Sequence, residues 1–459
     1  MKELFGSMAS GRKILILGFG KEGRSTWRFI RQNYPEMTVG IADRDAYLAQ
    51  KIEDQAELAG IDLHLGEKYL DALNDYSLVI KSPGVGLPEN LSLRPGIVIT
   101  SQTRLMLEAY HRQIIGITGT KGKSTTSSLV HHLLANAGVS SVLVGNIGLP
   151  PFDYLDRIGP DTKVVYEMSS HQLEDIGIAP HIAVLLNLFP EHLDRYPSLE
   201  SYYGAKMRIL TEQKAGDIFI YNADIPGIKG RVASYEPVRR FLAFSAGHRS
   251  GQGCYLQDNG IYMCNEKGNT LFAEITGDDY FLKGGHNRMN MMAAILAAIA
   301  AGAGSEAIRA GLKTFKGLEH RLEYAGTYRD ILFYNDSIAT IPEAAIAAVK
   351  ALPDTDTLIL GGFDRGLDYS GLVDFMVRSD VRNFIFLGKA GERIYKGFQT
   401  IENNKNLFYV ASFEEAFQII FRVTNAGKIC LLSPAAASYD IFRNFEERGK
   451  IFKKIARSY

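Results

Sequence analysis

The chain has 459 residues, of which 46% are hydrophobic and 22% charged, with 51 basic and 51 acidic side chains. This length predicts about three domains with substantial cores, and the balanced charge gives no indication of a nucleic-acid or membrane-surface partner. Three scattered cysteines exclude a disulfide framework. Since there is neither a signal-peptide pattern nor an apolar run of about 18 residues, we expect a cytoplasmic protein that binds no membrane. We also expect a monomer.

Short apolar runs alternate with amphipathic stretches, which predicts α/β domains whose parallel sheets are covered by helices on both faces. The runs predicted as buried strands are Lys13–Leu17, Leu78–Ile80, Ile97–Thr100, Ile114–Ile117, Lys163–Tyr166, Ile182–Leu188, Asp217–Tyr221, Thr357–Leu360, Asn383–Leu387 and Lys428–Leu432. The stretch Cys254–Ile275 alternates in polarity and contains two turn signals, so we predict antiparallel hairpins there. Because open α/β sheets bind ligands beyond the carboxyl ends of their strands, the turns after these runs are the candidate sites.

The first run leads into Gly18-Phe19-Gly20-Lys21-Glu22-Gly23, which fits the G-x-G-x-x-G pattern of a nucleotide-binding turn. Asp43 follows about 20 residues later, at the end of the next strand-like run. Three interpretations are open: a nicotinamide dinucleotide site, a site for another nucleotide diphosphate, or a glycine turn needed only for packing. We favour the second, because the next motif along the chain predicts ATP use and leaves little need for hydride chemistry.

Residues 116–125 read GITGTKGKST after a predicted strand, which is the pattern of a phosphate-binding loop. Glycines let backbone N–H groups surround phosphate oxygens, and the following helix adds its positive end. Lys123 can reach terminal phosphates, and Ser124 or Thr125 can hold a metal ion. The usual pattern has glycine where this chain has Ile117, so the spacing is a compact variant, and the alternative is a plain glycine-rich turn. Apolar residues at helical spacing predict a helix over 126–138.

Two later turns supply candidate metal ligands, Glu167 and His192, each after a predicted strand. His192 could instead be a loop histidine bonded to Asp194. Lys206 lies in a predicted helix over Ser201–Leu210, and its spacing alone favours a surface lysine whose aliphatic stem covers apolar neighbours.

Polar residues near three further turns are candidate nucleotide contacts. Asn287 and Asn290 precede an alanine-rich predicted helix over 291–302, where Asn287 could also be a simple cap. Arg321 could bind phosphate or form a surface ion pair, and Asp336 could hold ribose hydroxyls or cap the next helix.

Together these motifs resemble the Mur ligase family over essentially the whole chain. The segments that carry the resemblance are GITGTKGKST (116–125), GNIGLP (145–150), EMSSHQLE (167–174), NLFPEHLDRY (187–196), YYGAKMRI (202–209), GGHNRMNMMAA (284–294), LEHRLE (318–323), NDSIAT (335–340) and LLSPAAASYDIFRNFEERG (431–449). Within the family, EMSSHQLE and SPAAASYDIFRNFEERG favour the members that add D-glutamate to UDP-N-acetylmuramoyl-L-alanine in peptidoglycan precursor synthesis. The resemblance therefore implies an ATP- and Mg²⁺-dependent amide ligase that works through an acyl phosphate.

The resemblance also implies a role for individual parts of the chain. It implies a Rossmann-like N-terminal domain for the UDP-sugar (1–101), a central P-loop ATPase-like α/β domain (102–317) and a Rossmann-like C-terminal domain for the amino acid (318–459). The residues that match UDP-sugar contacts are Gly20, Lys21, Glu22, Asp43, Arg44, Ser82, Gly84 and Asn146. Those that match ATP contacts are Gly119, Thr120, Lys121, Gly122, Lys123, Ser124, Thr125, Asn287, Asn290, Arg321 and Asp336. The implied metal ligands are Thr125, Glu167, His192 and Lys206, the last as a carbamylated lysine, and the implied catalytic set is Lys123, Glu167, His192 and Lys206.

The amino-acid site is where the chain departs from the family. Ser438 and Phe445 match contacts to D-glutamate, but Ile338 stands where the family often has lysine. Arg365 replaces another lysine and has a different donor geometry, so the detailed D-glutamate contacts stay open.

Three alternative functions stay open on the sequence alone. One is another amide ligase of this architecture, such as a folylpolyglutamate synthase or a different Mur ligase. The second is a nicotinamide-dependent dehydrogenase built on residues 14–44. The third is a nucleotide-binding regulator without chemistry, against which the candidate metal ligands argue.

Overall fold

A computed structural model of the chain describes residues 1–51, 61–88, 90–191, 195–232, 240–247, 251–276, 280–282 and 284–459. These residues form two compact units. The first contains Met1–Thr276 and Met289–Leu312, and the second contains Gly277–Arg288 and Lys313–Tyr459. Among the described residues, no helix is both long and apolar enough to cross a lipid bilayer.

The first sheet lies in the first unit, and the N-terminal glycine loop follows its first strand. Its strands are β1 (Ile14–Leu17), β2 (Val39–Asp43), β3 (Asp62–Leu65), β4 (Leu78–Lys81) and β5 (Val98–Thr100). Their order is β3-β2-β1-β4-β5, and the pairs in this described part are parallel. The neighbouring helices along the chain are α1 (Lys2–Ala9), α2 (Lys21–Asn33) and α3 (Gln102–Tyr110). Strand order reverses at β1 and β4, the kind of switch point where doubly wound sheets bind nucleotides.

The second sheet, also in the first unit, carries the phosphate-loop motif. Its strands are β6 (Ile114–Thr118), β7 (Ser141–Gly145), β8 (Lys163–Glu167), β9 (Ile182–Leu185), β10 (Ile218–Asn222), β11 (Arg240–Ser245), β12 (Gly253–Gln257), β13 (Gly260–Asn265) and β14 (Gly268–Glu274), in the order β14-β13-β12-β11-β10-β9-β6-β8-β7. The helices in this part of the chain are α4 (Lys123–Asn136), α5 (Ser170–Leu173), α6 (Leu199–Thr211), α7 (Pro226–Val232), α8 (Gly285–Ala300) and α9 (Ser305–Thr314). The pairs β12–β13 and β13–β14 are antiparallel, which confirms the predicted hairpins.

The third sheet lies in the second unit. Its strands are β15 (Glu323–Tyr328), β16 (Ile331–Asn335), β17 (Thr355–Gly361), β18 (Asn383–Leu387), β19 (Asn406–Tyr409) and β20 (Ile429–Leu432), in the order β15-β16-β20-β17-β18-β19. The helices in this part are α10 (Pro342–Ala351), α11 (Ser370–Arg378), α12 (Gly388–Gln399), α13 (Phe413–Val423) and α14 (Phe445–Ser458). Because β16, β20 and β17 are parallel neighbours, the loops after them meet at one edge.

The predicted α/β fold class is confirmed, and the described strands form three sheets. Strands such as β1 and β18 are buried at every position, which explains why they appear as continuous apolar runs. Several boundaries differ: for example, the run Ile182–Leu188 forms a strand only as far as Leu185, α4 begins at Lys123 rather than 126, and α8 begins at Gly285 rather than 291.

Candidate functional site

The phosphate-loop motif forms a tight turn between β6 and α4. Gly122 is the residue before α4 and has φ +86°, a left-handed conformation that favours glycine. A Cβ atom on Gly122 would lie 2.5 Å from Oδ1 of Asn290, so the two predicted ATP contacts are close neighbours. Because α4 begins at Lys123, the positive end of this helix and the backbone N–H groups of its first turn lie at this turn.

A second segment holds the turn in shape. The N–H of Thr120 donates to the carbonyl oxygen of Asn187 at 3.1 Å, and the N–H of Lys121 donates to its side-chain Oδ1 at 2.9 Å. The amide of Asn187 donates back to the Lys121 carbonyl oxygen at 3.0 Å. Asn187 lies in the NLFPEHLDRY motif but was not a candidate on its own, because nothing in its local sequence identifies its partner 66 residues away.

Two lysines share one carbonyl group of the loop. Nζ of Lys123 lies 3.0 Å from the Gly119 carbonyl oxygen, and Nζ of Lys206 lies 3.1 Å from the same atom. Lys206 is 2% exposed and its Nζ lies 4.9 Å from the Tyr202 ring centre. The interpretation of Lys206 as a surface lysine is therefore wrong, because helical spacing does not reveal that this face of α6 packs toward the loop.

The environment of Lys206 disfavours a positive charge. Burial, followed by the nearby charge of Lys123, lowers its pKa from 10.5 to about 7, although Glu191 opposes the shift. A substantial fraction of this side chain is therefore a neutral amine near neutral pH. The neutral amine is the form that can react with an electrophile.

Candidate metal ligands border the same loop. Glu167 ends β8 and is 1% exposed, and the β6–β8 pairing of Ile117 with Glu167 places it at the edge where the loop begins. Thr125 is buried in the first turn of α4. A carboxylate and a hydroxyl suit Mg²⁺, whereas Lys206 fits only if carbamylation gives it oxygen donors.

His192, the other implied metal ligand, lies outside the described residues, as does Asp194. Within the residues that are described, no group of three or more His, Cys, Asp or Glu side chains is arranged to hold a metal ion. The metal set predicted here combines two such residues with a threonine and a lysine.

The N-terminal glycine loop lies at the switch point of the first sheet. The Phe19 N–H donates to the Asp43 carboxylate at 2.6 Å, and the Ser82 hydroxyl donates to the Gly18 carbonyl oxygen at 2.8 Å. A Cβ on Gly23 would collide with the Gly18 carbonyl oxygen, so packing explains the third glycine of the motif. The loop thus brings Asp43 and Ser82 together. The other predicted UDP-sugar contacts Gly20, Lys21, Arg44 and Asn146 are exposed.

The motif EMSSHQLE contacts the same loop. Gln172 donates to the Glu22 carboxylate at 2.8 Å, and burial raises the pKa of Glu22 to about 7, although Gln172 and Lys81 oppose the shift. A residue of the NLFPEHLDRY motif, Arg195, contacts another predicted UDP-sugar residue: it donates to the carbonyl oxygen of Gly84 at 2.9 Å. Gln172 was part of a quoted motif but not a site candidate, since its partner is 150 residues away.

The candidate ATP contacts of the C-terminal region lie in the second unit. The Asp336 carboxylate accepts hydrogen bonds from the Ser433 hydroxyl at 2.8 Å and the Leu322 N–H at 3.1 Å. Burial raises the pKa of Asp336 to about 7, and the charge of exposed Arg321 is among the opposing effects. Asp336 does not cap α10, because that helix begins at Pro342.

The two asparagines lie in α8. Asn287 is the third residue of this helix, so it is not the residue that precedes it and is not its N-terminal cap. Asn287 and Asn290 are three residues apart, on neighbouring turns of the same face, and both are buried.

The predicted amino-acid contacts lie around the loops after β16 and β20. Ser438 is 3% exposed, and Phe445 is the first residue of α14. The Phe445 carbonyl oxygen accepts a hydrogen bond from Ser337 at 2.8 Å, whereas exposed Arg365 donates to the Thr340 carbonyl oxygen at 2.9 Å. Both links lead to the segment that follows β16.

Comparison with known proteins identifies the family. Residues 117–298 match the Mur ligase middle domain. The chain is 33% identical to the UDP-N-acetylmuramoylalanine--D-glutamate ligase of Pelotomaculum thermopropionicum over 97% of this chain and 98% of that protein. It is 34% identical to the ligase of the same name from Geobacillus kaustophilus, over 96% of each chain.

Solved structures show the same fold. UDP-N-acetylmuramate-alanine ligase MurC from Thermotoga maritima has a TM-score of 0.58 at 17% identity and covers 97% of this chain and 99% of its own. MurF ligase from Thermotoga maritima, solved in complex with ADP, has a TM-score of 0.57 at 17% identity and covers 97% of this chain and 95% of its own. The ligase from Pelotomaculum thermopropionicum matches 97% of this chain at 33% identity, and this match argues against the dehydrogenase interpretation of residues 14–44. The chain belongs to the Mur ligase family.

Proposed function

We propose that this chain is the ATP-dependent ligase that joins D-glutamate to the carboxylate of UDP-N-acetylmuramoyl-L-alanine in cytoplasmic peptidoglycan precursor synthesis. The observation that carries the proposal is the pair of lysines on the Gly119 carbonyl group, at the start of a helix whose N–H groups can bind phosphate. Relatives that match the chain nearly end to end carry the name of this activity, which supports the choice of substrates.

The first proposed step transfers phosphorus to the substrate carboxylate. A carboxylate oxygen attacks the γ-phosphorus of ATP, the bond from that phosphorus to the β–γ bridging oxygen breaks, and ADP leaves. Both reactants are anions, so they repel each other. The ammonium of Lys123 and the backbone N–H groups of residues 119–125, apart from those of Thr120 and Lys121 that bond to Asn187, would offset this repulsion, most strongly where charge develops on the transferring group.

Lys206 would serve this step after a covalent change. Its neutral amine can attack CO2, forming a C–N bond and releasing a proton, and the product is a carbamate with two oxygens. Glu167, Thr125, His192 and the carbamate of Lys206 would then hold Mg²⁺. When bound, this ion neutralises charge on phosphate oxygens. Burial of Lys206 supports the proposal, since burial favours the neutral amine.

The second proposed step forms the amide. The amine of D-glutamate attacks the acyl phosphate carbonyl, the C–O bond to phosphate breaks, and the nitrogen loses a proton. Ser438, Phe445 and Arg365 would bind the amino acid. Lys21, Asp43, Arg44, Ser82 and the other N-terminal residues would bind the UDP-sugar, while Asn287, Asn290, Arg321 and Asp336 would bind ATP.

We further propose the domain boundaries 1–101, 102–317 and 318–459 and a monomeric state. The boundaries follow the three sheets, each of which lies within one of these ranges.

The proposal is tested by measuring phosphate release with ATP, Mg²⁺ and UDP-N-acetylmuramoyl-L-alanine while each D- and L-amino acid is supplied in turn. D-Glutamate alone should produce stoichiometric phosphate and a new amide. A response to a different amino acid would indicate another ligase of this architecture. ATP binding without phosphate release under any condition would instead support a non-catalytic regulator.

A further inference from the structure

The loops that would bind the amino acid surround a buried arginine that the sequence motifs did not single out. Arg448 lies in α14 and is 2% exposed. Its Nε donates to the Ser337 hydroxyl at 3.0 Å, and its Nη2 donates to the carbonyl oxygens of Ser337 at 2.8 Å and Ala436 at 3.0 Å. Its Nη1 donates to the Ala437 carbonyl oxygen at 3.2 Å. One guanidinium therefore joins the loop after β16 to the loop after β20.

Two of the three predicted amino-acid contacts, Ser438 and Phe445, are attached to this arrangement. Ser438 directly follows Ala437, whose carbonyl oxygen Arg448 binds. Phe445 accepts a hydrogen bond from the hydroxyl of Ser337, the same hydroxyl that accepts from Arg448. Removal of the guanidinium would therefore remove the support of Ser438 and Phe445 together.

The loop after β20 needs such support. Ala435 has φ +56°, a left-handed conformation that is unfavourable for a residue with a Cβ. Strained backbone of this kind persists where surrounding contacts fix it. Arg448 binds the next two carbonyl groups, and the Phe363 N–H binds the Ala437 carbonyl oxygen at 2.9 Å, so the loop after β17 joins the same network.

The charge of Arg448 is also unusual. All four of its hydrogen-bond acceptors are neutral carbonyl or hydroxyl oxygens, so no carboxylate accepts from it among the described contacts. Burial lowers its pKa to about 10, with Asp440 opposing, so it stays cationic at neutral pH. A buried cation without a bonded anion gives its surroundings a positive potential. This potential suits an amino acid with two carboxylates, in a chain where Ile338 replaces a lysine.

We propose that Arg448 is a positioning residue for the anionic amino-acid substrate: it fixes the loops that carry Ser438 and Phe445 and supplies positive potential to them. This inference rests on the proposed function. It differs from the contacts implied by the family resemblance, because Arg448 acts through the two loops rather than by touching the substrate.

The test compares the Michaelis constants of all three substrates in Arg448→Gln, Arg448→Lys and the control Arg457→Gln, an exposed arginine in the last turn of the same helix. Arg448→Gln should raise KM for D-glutamate by about 100-fold, the loss expected when several charge-assisted hydrogen bonds disappear, and KM for ATP and the UDP-sugar by less than about threefold. Arg448→Lys keeps the positive charge but lacks the branched donors of the guanidinium. Its KM for D-glutamate should therefore lie between those of the wild type and Arg448→Gln. Arg457→Gln should match the wild type.

An equal rise in all three KM values, or a D-glutamate KM within about twofold of the wild type in Arg448→Gln, would overturn the proposal. If Arg448→Gln does not fold, Ser337→Ala removes only the hydroxyl that links Arg448 to Phe445. It should raise KM for D-glutamate by about fivefold, and an unchanged value would overturn the proposal.

Hydrogen exchange separates this proposal from the proposed function. Residues 433–439 should exchange faster in Arg448→Gln, or in Ser337→Ala, than in the wild type, while β18 should be unchanged. If the wild type uses another amino acid, the proposed function fails, but the KM comparison can be run with that amino acid. Unchanged exchange in the loop would refute positioning by Arg448 whatever the substrate is.

Discussion

Replacing Lys206 with methionine should stabilise the protein while abolishing its activity. Lys206 is buried, and its pKa falls from 10.5 to about 7 mainly through burial. One pKa unit corresponds to about 1.4 kcal/mol, so the buried ammonium should lower the free energy of unfolding by about 4 kcal/mol at pH 7. Methionine fills a similar volume without a charge, and among the described residues the hydrogen bond it loses is the one to the Gly119 carbonyl oxygen.

The pH dependence of the free energy of unfolding tests the effect of this charge more directly than a comparison at one pH. Between the folded pKa of about 7 and the unfolded value of 10.5, the unfolded chain holds a proton that the folded chain has released. The free energy of unfolding of the wild type should therefore rise with pH across this window, and the Lys206→Met variant should lack this contribution. The difference in free energy of unfolding between Lys206→Met and the wild type should therefore decrease by about 3 kcal/mol between pH 7 and pH 9.5. Packing differences between lysine and methionine cancel in this comparison.

Urea unfolding at these two pH values, in CO2-free buffer without metal or nucleotide, is the assay. Lys229→Met is the matched control, because Lys229 is exposed, and it should show no such pH-dependent advantage. If both variants respond to pH identically, the reasoning about burial is refuted. In turnover assays, Lys206→Ala should be inactive, and acetate should restore part of its activity by replacing the carbamate oxygens.

Three further variants address the loops of the first unit. Lys123→Ala should lower kcat by about 10³-fold, because it removes a cation from the transferring phosphate, while the Kd for UDP-N-acetylmuramoyl-L-alanine in calorimetry should stay nearly unchanged; near-normal turnover would contradict this. Gly122→Ala should raise KM for ATP, since the new Cβ would lie 2.5 Å from Oδ1 of Asn290 in a left-handed turn, and should destabilise the fold by about 1–3 kcal/mol in thermal unfolding. Glu22→Gln should stabilise the protein by an amount that grows from pH 4.5 to about 7, because a carboxyl group with a raised pKa resists losing its proton in the folded state. A pH-independent effect of Glu22→Gln would show that the burial of its carboxyl is unimportant.

Local features of the sequence predict many of the buried strands and the phosphate-loop motif. The buried parallel strand β18 contains four consecutive apolar residues, Phe384–Leu387, and the predicted strand Asn383–Leu387 has the same bounds as β18 in the structure. The phosphate loop was predicted because its residues are consecutive. Strand β3, by contrast, reads DLHL with two exposed residues, and such a strand gives no apolar run to recognise.

Contacts between distant segments could not be predicted in this way. Lys206 has helical spacing typical of a surface lysine, and its burial depends on how α6 packs near the loop at Gly119. Arg448 looks like one more charged residue in the charged stretch FEERGK, and its role depends on loops 11 to 111 residues away. Spacing along the chain contains no information about such partners.

The central claim is that the substrate carboxylate takes phosphorus from ATP before the amide forms. The most direct test supplies UDP-N-acetylmuramoyl-L-alanine with ¹⁸O in both oxygens of its carboxylate and analyses the released phosphate by mass spectrometry. An acyl phosphate route predicts one ¹⁸O atom in each phosphate released. Unlabelled phosphate, formed together with the amide, would contradict the account.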